Sequence, residues 1–81
     1  MNIYVANLNR KTTARQLFHL FLQFGKVTSV RIVMDNYTGH SLGCGYIEMD
    51  DQKCGNTAIQ NLHQRFFMNT YMEVNEVPVG W

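Results

Sequence analysis

Apolar positions along this chain follow two rhythms, a period of two and a period near 3.6. The run Ile3-Tyr4-Val5-Ala6-Asn7-Leu8 is β-branched and aromatic and closes on a turn-prone Asn-Leu-Asn, which predicts a first strand. Leu17, Leu20, Phe21 and Phe24 then recur at helical spacing. Thr13 stands three residues before Gln16 as in a capping box, and Gly25 ends the run. In Val27 to Met34, Val30, Ile32 and Met34 alternate with Ser29, Arg31 and Val33, which predicts a second strand with one buried face. The polar stretch Asp35 to Ser41 is a loop.

Leu42 to Met49 resumes as a glycine-bearing third strand. Asp50 or Asp51 is placed to cap a helix running to about His63, with Ala58, Ile59 and Leu62 inward. Gly55 inside that helix costs roughly 1 kcal/mol against Ala. Phe66, Phe67 and Met68 lead to a turn-like Asn69-Thr70, after which Tyr71 to Glu76 alternates around Met72 and Val74 as a last strand. Pro78 stops it.

The order βαββαβ predicts an α+β, ferredoxin-like sandwich: a four-stranded antiparallel sheet with both helices on one face. With 81 residues, 46% of them hydrophobic, the chain suits one compact domain over residues 1–78, followed by a short tail at 79–81. Two helices cover one side of the sheet, so the other side faces water. If Ile3, Val5 and Asn7 point to the helices, Tyr4 and Ala6 point away. On the third strand Gly43, Gly45, Ile47 and Met49 point in, which leaves Leu42, Cys44, Tyr46 and Glu48 outward. Strands one and three are central neighbours in this topology, so Tyr4 and Tyr46 share the middle of the open face. Aromatic rings on a rigid sheet suit the stacking of splayed bases, at about 1–3 kcal/mol per base.

Composition narrows the chemistry. Charged residues make up 16% of the chain and the net charge is +1, so there is no basic excess to announce a polyanion partner. No apolar run approaches the roughly 18 residues of a membrane span, and Met1 leads straight into a strand, so a non-exported, cytoplasmic protein with no membrane partner is expected. Cys44 and Cys54 fall on a strand and on the helix behind it. A bridge between them would cross the core, so free thiols are expected. The three histidines and two cysteines show no ligand spacing and sit on separate elements, so neither a metal nor a cofactor is expected. Gly39, Gly43 and Gly45 enter a strand with no Gly-Lys-Ser or Gly-Lys-Thr behind them, which excludes a phosphate loop. No nucleophile has a plausible base beside it, so the chain is not expected to be an enzyme.

These residues resemble the RNA recognition motif family, and in layout its small, free-standing bacterial members. Ile3 to Leu8 is similar to the family's RNP2 hexamer, and Leu42-Gly43-Cys44-Gly45-Tyr46-Ile47-Glu48-Met49 occupies the RNP1 octamer. Phe24-Gly25, Thr38-Gly39 and Val74-Asn75-Glu76 agree with the family pattern as well. The resemblance implies single-stranded RNA binding, with Tyr4 and Tyr46 at the two stacking positions. It also implies base-edge hydrogen bonds from the last strand, around Tyr71, Glu73, Asn75 and Glu76. Two positions depart from the pattern. Leu42 replaces the usual phosphate-binding cation, and Cys44 replaces the usual aromatic that packs on sugars, so both contacts are weakened. Met49 replaces a last aromatic at a core position, which Met fills.

Arg31 is the one cation on the open face, opposed by Glu48 and Glu73, so backbone attraction should be modest and the salt slope shallow. Arg10, Lys11 and Arg65 can add phosphate contacts from the loops. The expected ligand is about two to four nucleotides of RNA, and single-stranded DNA is also admitted because stacking does not read the 2′-hydroxyl. The alternative is a protein-interaction or self-association domain on the same fold, using the altered sheet face or a second stripe on helix one, Phe18 and Leu22. Phe18 or Leu22 can instead pack under Phe66-Phe67 or at a core edge. Trp81 either folds back over the tyrosines or projects into solvent.

Overall fold

The computed structural model of the chain describes residues 1–77. Pro78 and Trp81, with the expectations attached to them, lie outside the described residues. Eight elements follow in order: β1 (Asn2–Ala6), α1 (Ala14–Leu22), β2 (Val27–Met34), β3 (Ser41–Met49), α2 (Gln52–Leu62), β4 (Phe66–Phe67), β5 (Thr70–Tyr71) and β6 (Glu73–Glu76). Four strands form one antiparallel sheet in the order β2-β3-β1-β6, and β4 with β5 forms a separate hairpin. The fold is thus the expected α+β sandwich with a small hairpin inserted before its last strand.

Both helix starts are fixed by side chains. The Gln16 amide donates to Thr13 Oγ1 at 3.1 Å while the Thr13 amide donates to Gln16 Oε1 at 2.9 Å, a complete capping box. Asp51, of the two candidate aspartates, caps α2 by accepting from the Lys53 amide at 2.7 Å. Ile3 and Val5 of β1, Leu17 and Phe21 of α1, Ile47 and Met49 of β3, Ala58 and Leu62 of α2, and Met72 and Val74 are all fully buried between the layers. Gly55 is explained by its neighbour: the Met1 side chain lies against it, and a Cβ there would run into the Met1 thioether. The helix gives up some propensity and gains close packing over β1.

Four details differ from the alternation expected of the sequence. Asn7 is exposed with φ 57°, so the period of two stops at Ala6 and Leu8 takes the buried place. Met34 is 52% exposed, because the β2–β3 register shifts between Ile32 and Met34 and carries its side chain out of the core face. Phe24 lies beyond the end of α1, half-buried against the core. The last strand is divided. Met68 and Asn69, at φ 50° and 69°, make the two-residue turn of the β4–β5 hairpin, so Thr70 belongs to a strand and not to the turn. The segment 70–76 then changes partner at Met72, which bonds to Gln64 and Arg65, before β6 pairs with β1.

Candidate functional site

The register of the sheet places four side chains in one lateral row. Arg31 of β2 stands opposite Tyr46 of β3, Tyr46 opposite Tyr4 of β1, and Tyr4 opposite Asn75 of β6. Directly opposed residues share a face, and Ile3, Val5, Ile47 and Val74 on either side of this row are buried toward the helices. The row therefore lies on the open face, as the alternation of β1 and β3 predicts. The Tyr4 and Tyr46 ring centroids are 5.2 Å apart with planes tilted by 50°, an ordinary aromatic contact. The Arg31 guanidinium carbon lies 5.2 Å from the Tyr46 centroid, within cation–π reach. Gly45 lets the strands come this close, since a Cβ there would sit 2.6 Å from the Arg31 carbonyl oxygen.

The rows on either side are acidic. Glu48 stands opposite Asn2 and Ser29, and its carboxylate accepts from Thr28 Oγ1 at 2.9 Å. Glu73 stands opposite Ala6. Leu42, at 48% exposure, and half-buried Cys44 continue the open face of β3. The Tyr4 phenol is held above its ordinary pKa, first by a hydrogen bond with the Cys44 thiol, then by burial and by the negative charge that Cys44, Tyr46 and Glu73 can carry. Cys44 thus borders the ring of Tyr4 and is a free thiol, as is Cys54.

The remaining candidates are not gathered with this row. Glu76 accepts from Gln52 at the start of α2, so its carboxylate faces the helix side. Tyr71 is exposed on the hairpin against Phe66, ring centroids 5.0 Å apart, and its carbonyl accepts from the Asn7 side chain. Arg10 and Lys11 belong to the β1–α1 loop, turned by Asn9, whose Oδ1 accepts from the Lys11 amide at 2.8 Å. Arg65 stands in the turn after α2. Phe18 packs at the core edge beside Val30 of β2, whereas Leu22 is 43% exposed. Three features escaped the sequence reading: the stacking of Arg31 on Tyr46, the Phe66–Tyr71 pair, and a cleft joining Arg10 and Lys11 to His40. Only the second had a sequence signal, an asparagine-bearing two-residue loop between Phe66-Phe67 and Thr70-Tyr71.

Among the described residues no three His, Cys, Asp or Glu side chains gather as a metal site, and no helix is long and apolar enough to cross a membrane.

Comparison with known proteins agrees with this geometry. RbpE of Nostoc sp. is 36% identical over 76 residues, covering 94% of this chain and 77% of that protein. The tau variant of human cleavage stimulation factor subunit 2 is 34% identical over 74 residues, where the match spans 91% of this chain and 12% of the relative. The crystal structure of the RNA-binding protein PG1 superposes with a TM-score of 0.93 at 40% identity, covering 95% of this chain and 93% of the other. An Sxl-lethal protein solved in complex with RNA superposes with a TM-score of 0.91 at 28% identity over 99% of this chain and 48% of its own. The RNA recognition motif profile matches residues 3–73, from β1 through both helices to the first residue of β6. This chain therefore belongs to the RNA recognition motif family, a family of binding domains and not of enzymes.

Proposed function

We propose that the domain binds short single-stranded RNA by stacking bases on Tyr46 and Tyr4. The observation that carries this reading is the lateral row from Arg31 to Asn75, with two touching rings at its centre on the uncovered face of the sheet. Rings seated on central strands are already ordered, so little freedom is lost when a base arrives. Each stacked base contributes about 1–3 kcal/mol. Asn75 offers both donor and acceptor to a base edge at the end of the row, while Glu73 of the same strand is an acceptor beside it. RNA as the ligand class is supported by the 28% identical Sxl-lethal domain, which was solved with RNA bound.

The affinity is modest in this reading. Arg31 is the row's one cation and the flanking Glu48 and Glu73 repel phosphates, while Leu42 and Cys44 offer apolar contact in place of a phosphate clamp. Arg10, Lys11 and Arg65 are exposed and available to phosphates that leave the sheet. Single-stranded DNA also binds, because stacking does not sense the 2′-hydroxyl.

A second reading has Leu42 in its favour, an exposed leucine on the same face as the tyrosines, which suits a protein partner. A residue-resolved NMR titration with short randomised RNA and DNA pools at low and high salt separates the two. Shifts centred on Tyr4, Tyr46 and Arg31 are expected. A sheet face that stays silent at millimolar oligonucleotide, with Leu22 or Leu42 broadening as protein concentration rises, would exclude base stacking in favour of association.

A further inference from the structure

Two more rings stand beyond the end of β6. Phe66 and Tyr71 are directly opposed across the β4–β5 hairpin, with ring centroids 5.0 Å apart and planes inclined by 60°. They remain 54% and 57% exposed, so the contact between them leaves more than half of each residue to water. Pairing two short strands asks for less than this, since two β-branched threonines would supply the strand propensity without open rings.

The hairpin is a firm mount. Phe67 packs against the core. The Asn7 side chain donates to the Tyr71 carbonyl at 2.8 Å and the Asn9 side chain to the Met68 carbonyl at 2.9 Å, so the residues after β1 grip the hairpin at two points. The Met72 amide, donating to the Arg65 carbonyl at 3.0 Å, closes its base. Rings held in this way lose little freedom when a flat ligand arrives.

Alternation fixes the side on which the rings lie. Met72 and Val74 are fully buried toward the helices, so Tyr71, Glu73 and Asn75 point the other way, and Phe66 shares the side of its partner Tyr71. Asn75 stands opposite Tyr4 and Glu73 opposite Ala6, and Asn7, the next residue, is the one that bonds to Tyr71. Tyr71 is four positions from Asn75, at most about 14 Å of chain. That span is no more than about four steps of a stacked strand at about 3.4 Å each.

We infer that the Phe66–Tyr71 pair is a second base-stacking site, taking a nucleobase from a single strand that is seated on Tyr46 and Tyr4 and runs off the sheet past Glu73. The inference rests on the stacking function proposed above and adds a further contact point and the edge over which the strand leaves. A base suits the site better than a protein surface does. Arg65, Asn69, Thr70 and Glu73 around the rings are exposed or polar, so no wider apolar patch surrounds them. Glu73 lies on the way and repels phosphates, so the attraction comes from the rings and changes little with salt.

The test compares a randomised RNA dinucleotide pool with a randomised hexamer pool, at low and high salt. The proteins are the wild type, Tyr71→Phe, and Phe66→Thr combined with Tyr71→Thr, which keeps strand-forming residues in the hairpin. In the wild type the Phe66 and Tyr71 ring signals in aromatic NMR spectra should shift with the hexamer. The double substitution should weaken the hexamer at least about five-fold at both salts, the equivalent of roughly 1 kcal/mol for one stacked base. It should leave the dinucleotide unchanged, and Tyr71→Phe should bind both pools as wild type does. Hairpin rings that stay silent in the wild type while Tyr4 and Tyr46 shift overturn the second site and leave the sheet platform standing, whether or not the double variant folds. Hexamer affinity indifferent to the double substitution does the same. Silence of Tyr4 and Tyr46 toward both pools removes the platform and the extension with it. Hairpin ring signals that broaden with protein concentration alone, and cease to self-associate in the double variant, also overturn the inference by assigning the rings to a second copy of the chain.

Discussion

Tyr4 and Tyr46 are direct cross-strand partners with ring centroids 5.2 Å apart, so the centre of the open face is a single two-ring surface and not two separate residues. Replacing either by Ala should weaken RNA binding by about 1–3 kcal/mol, a factor of roughly five to a hundred and fifty in Kd. Phe at either position should retain most of it. Because the rings are in contact, the double substitution should cost other than the sum of the singles. Fluorescence anisotropy with a labelled oligonucleotide, beside unchanged thermal melting, measures this. Binding that survives both Ala changes rules out sheet stacking.

Gly45→Ala should destabilise the domain. The new methyl would press on the Arg31 carbonyl oxygen, a backbone atom with no rotamer to escape into, and β2 must draw away from β3. Overpacking of this kind costs about 1–3 kcal/mol, read from urea denaturation. The Arg31–Tyr46 pairing is disturbed at the same time, so a matching loss of oligonucleotide affinity is expected.

The raised pKa of Tyr4 has a signed consequence. The native state holds the phenolic proton more tightly than the unfolded chain does, so this contribution to stability is fully present below the ordinary value near 10. It is lost as pH rises through the higher native pKa. Cys44→Ala removes the first cause of the shift, and tyrosinate absorbance should then appear at lower pH. The component that Tyr4→Phe abolishes identifies the ring. A titration curve indifferent to Cys44→Ala contradicts the hydrogen bond.

Phe18 and Leu22 should separate although they share a helix face. Phe18 packs at the core edge, and its Ala variant should lose about 1–3 kcal/mol in thermal or urea unfolding. Leu22→Ala, at an exposed site, should stay within about 0.5 kcal/mol of wild type. If sedimentation shows self-association that Leu22→Ala abolishes, helix one is an interface after all.

Local rules carried much of the fold. The capping box at Thr13 and Gln16, the aspartate cap of α2 and the alternation through β1 and β3 all act between residues a few positions apart, and each was legible in the sequence. Tyr4 and Tyr46 followed from that alternation together with the strand order. What escaped depends on non-local pairing. The register shift that exposes Met34, the left-handed Asn7 and the change of partner at Met72 are decided by what lies alongside, not by the period of the segment itself. The basic cleft is of the same kind. Its two walls come from residues some thirty positions apart, Arg10 and Lys11 on one side and His40 on the other, and only the closing of the β2–β3 turn beside the β1–α1 loop brings them together.

Arg31 on the Tyr46 ring bears on how a ligand arrives. A base that stacks on Tyr46 finds the ring already in company, and must either displace the guanidinium or accept it as a neighbour. Displacement forfeits a contact of about 0.5–1 kcal/mol at an exposed site, but frees the same cation to swing toward the incoming phosphate. The arginine thus competes with the first nucleotide before it assists it. Its removal should speed arrival as well as departure, leaving an equilibrium constant that understates how much the residue does.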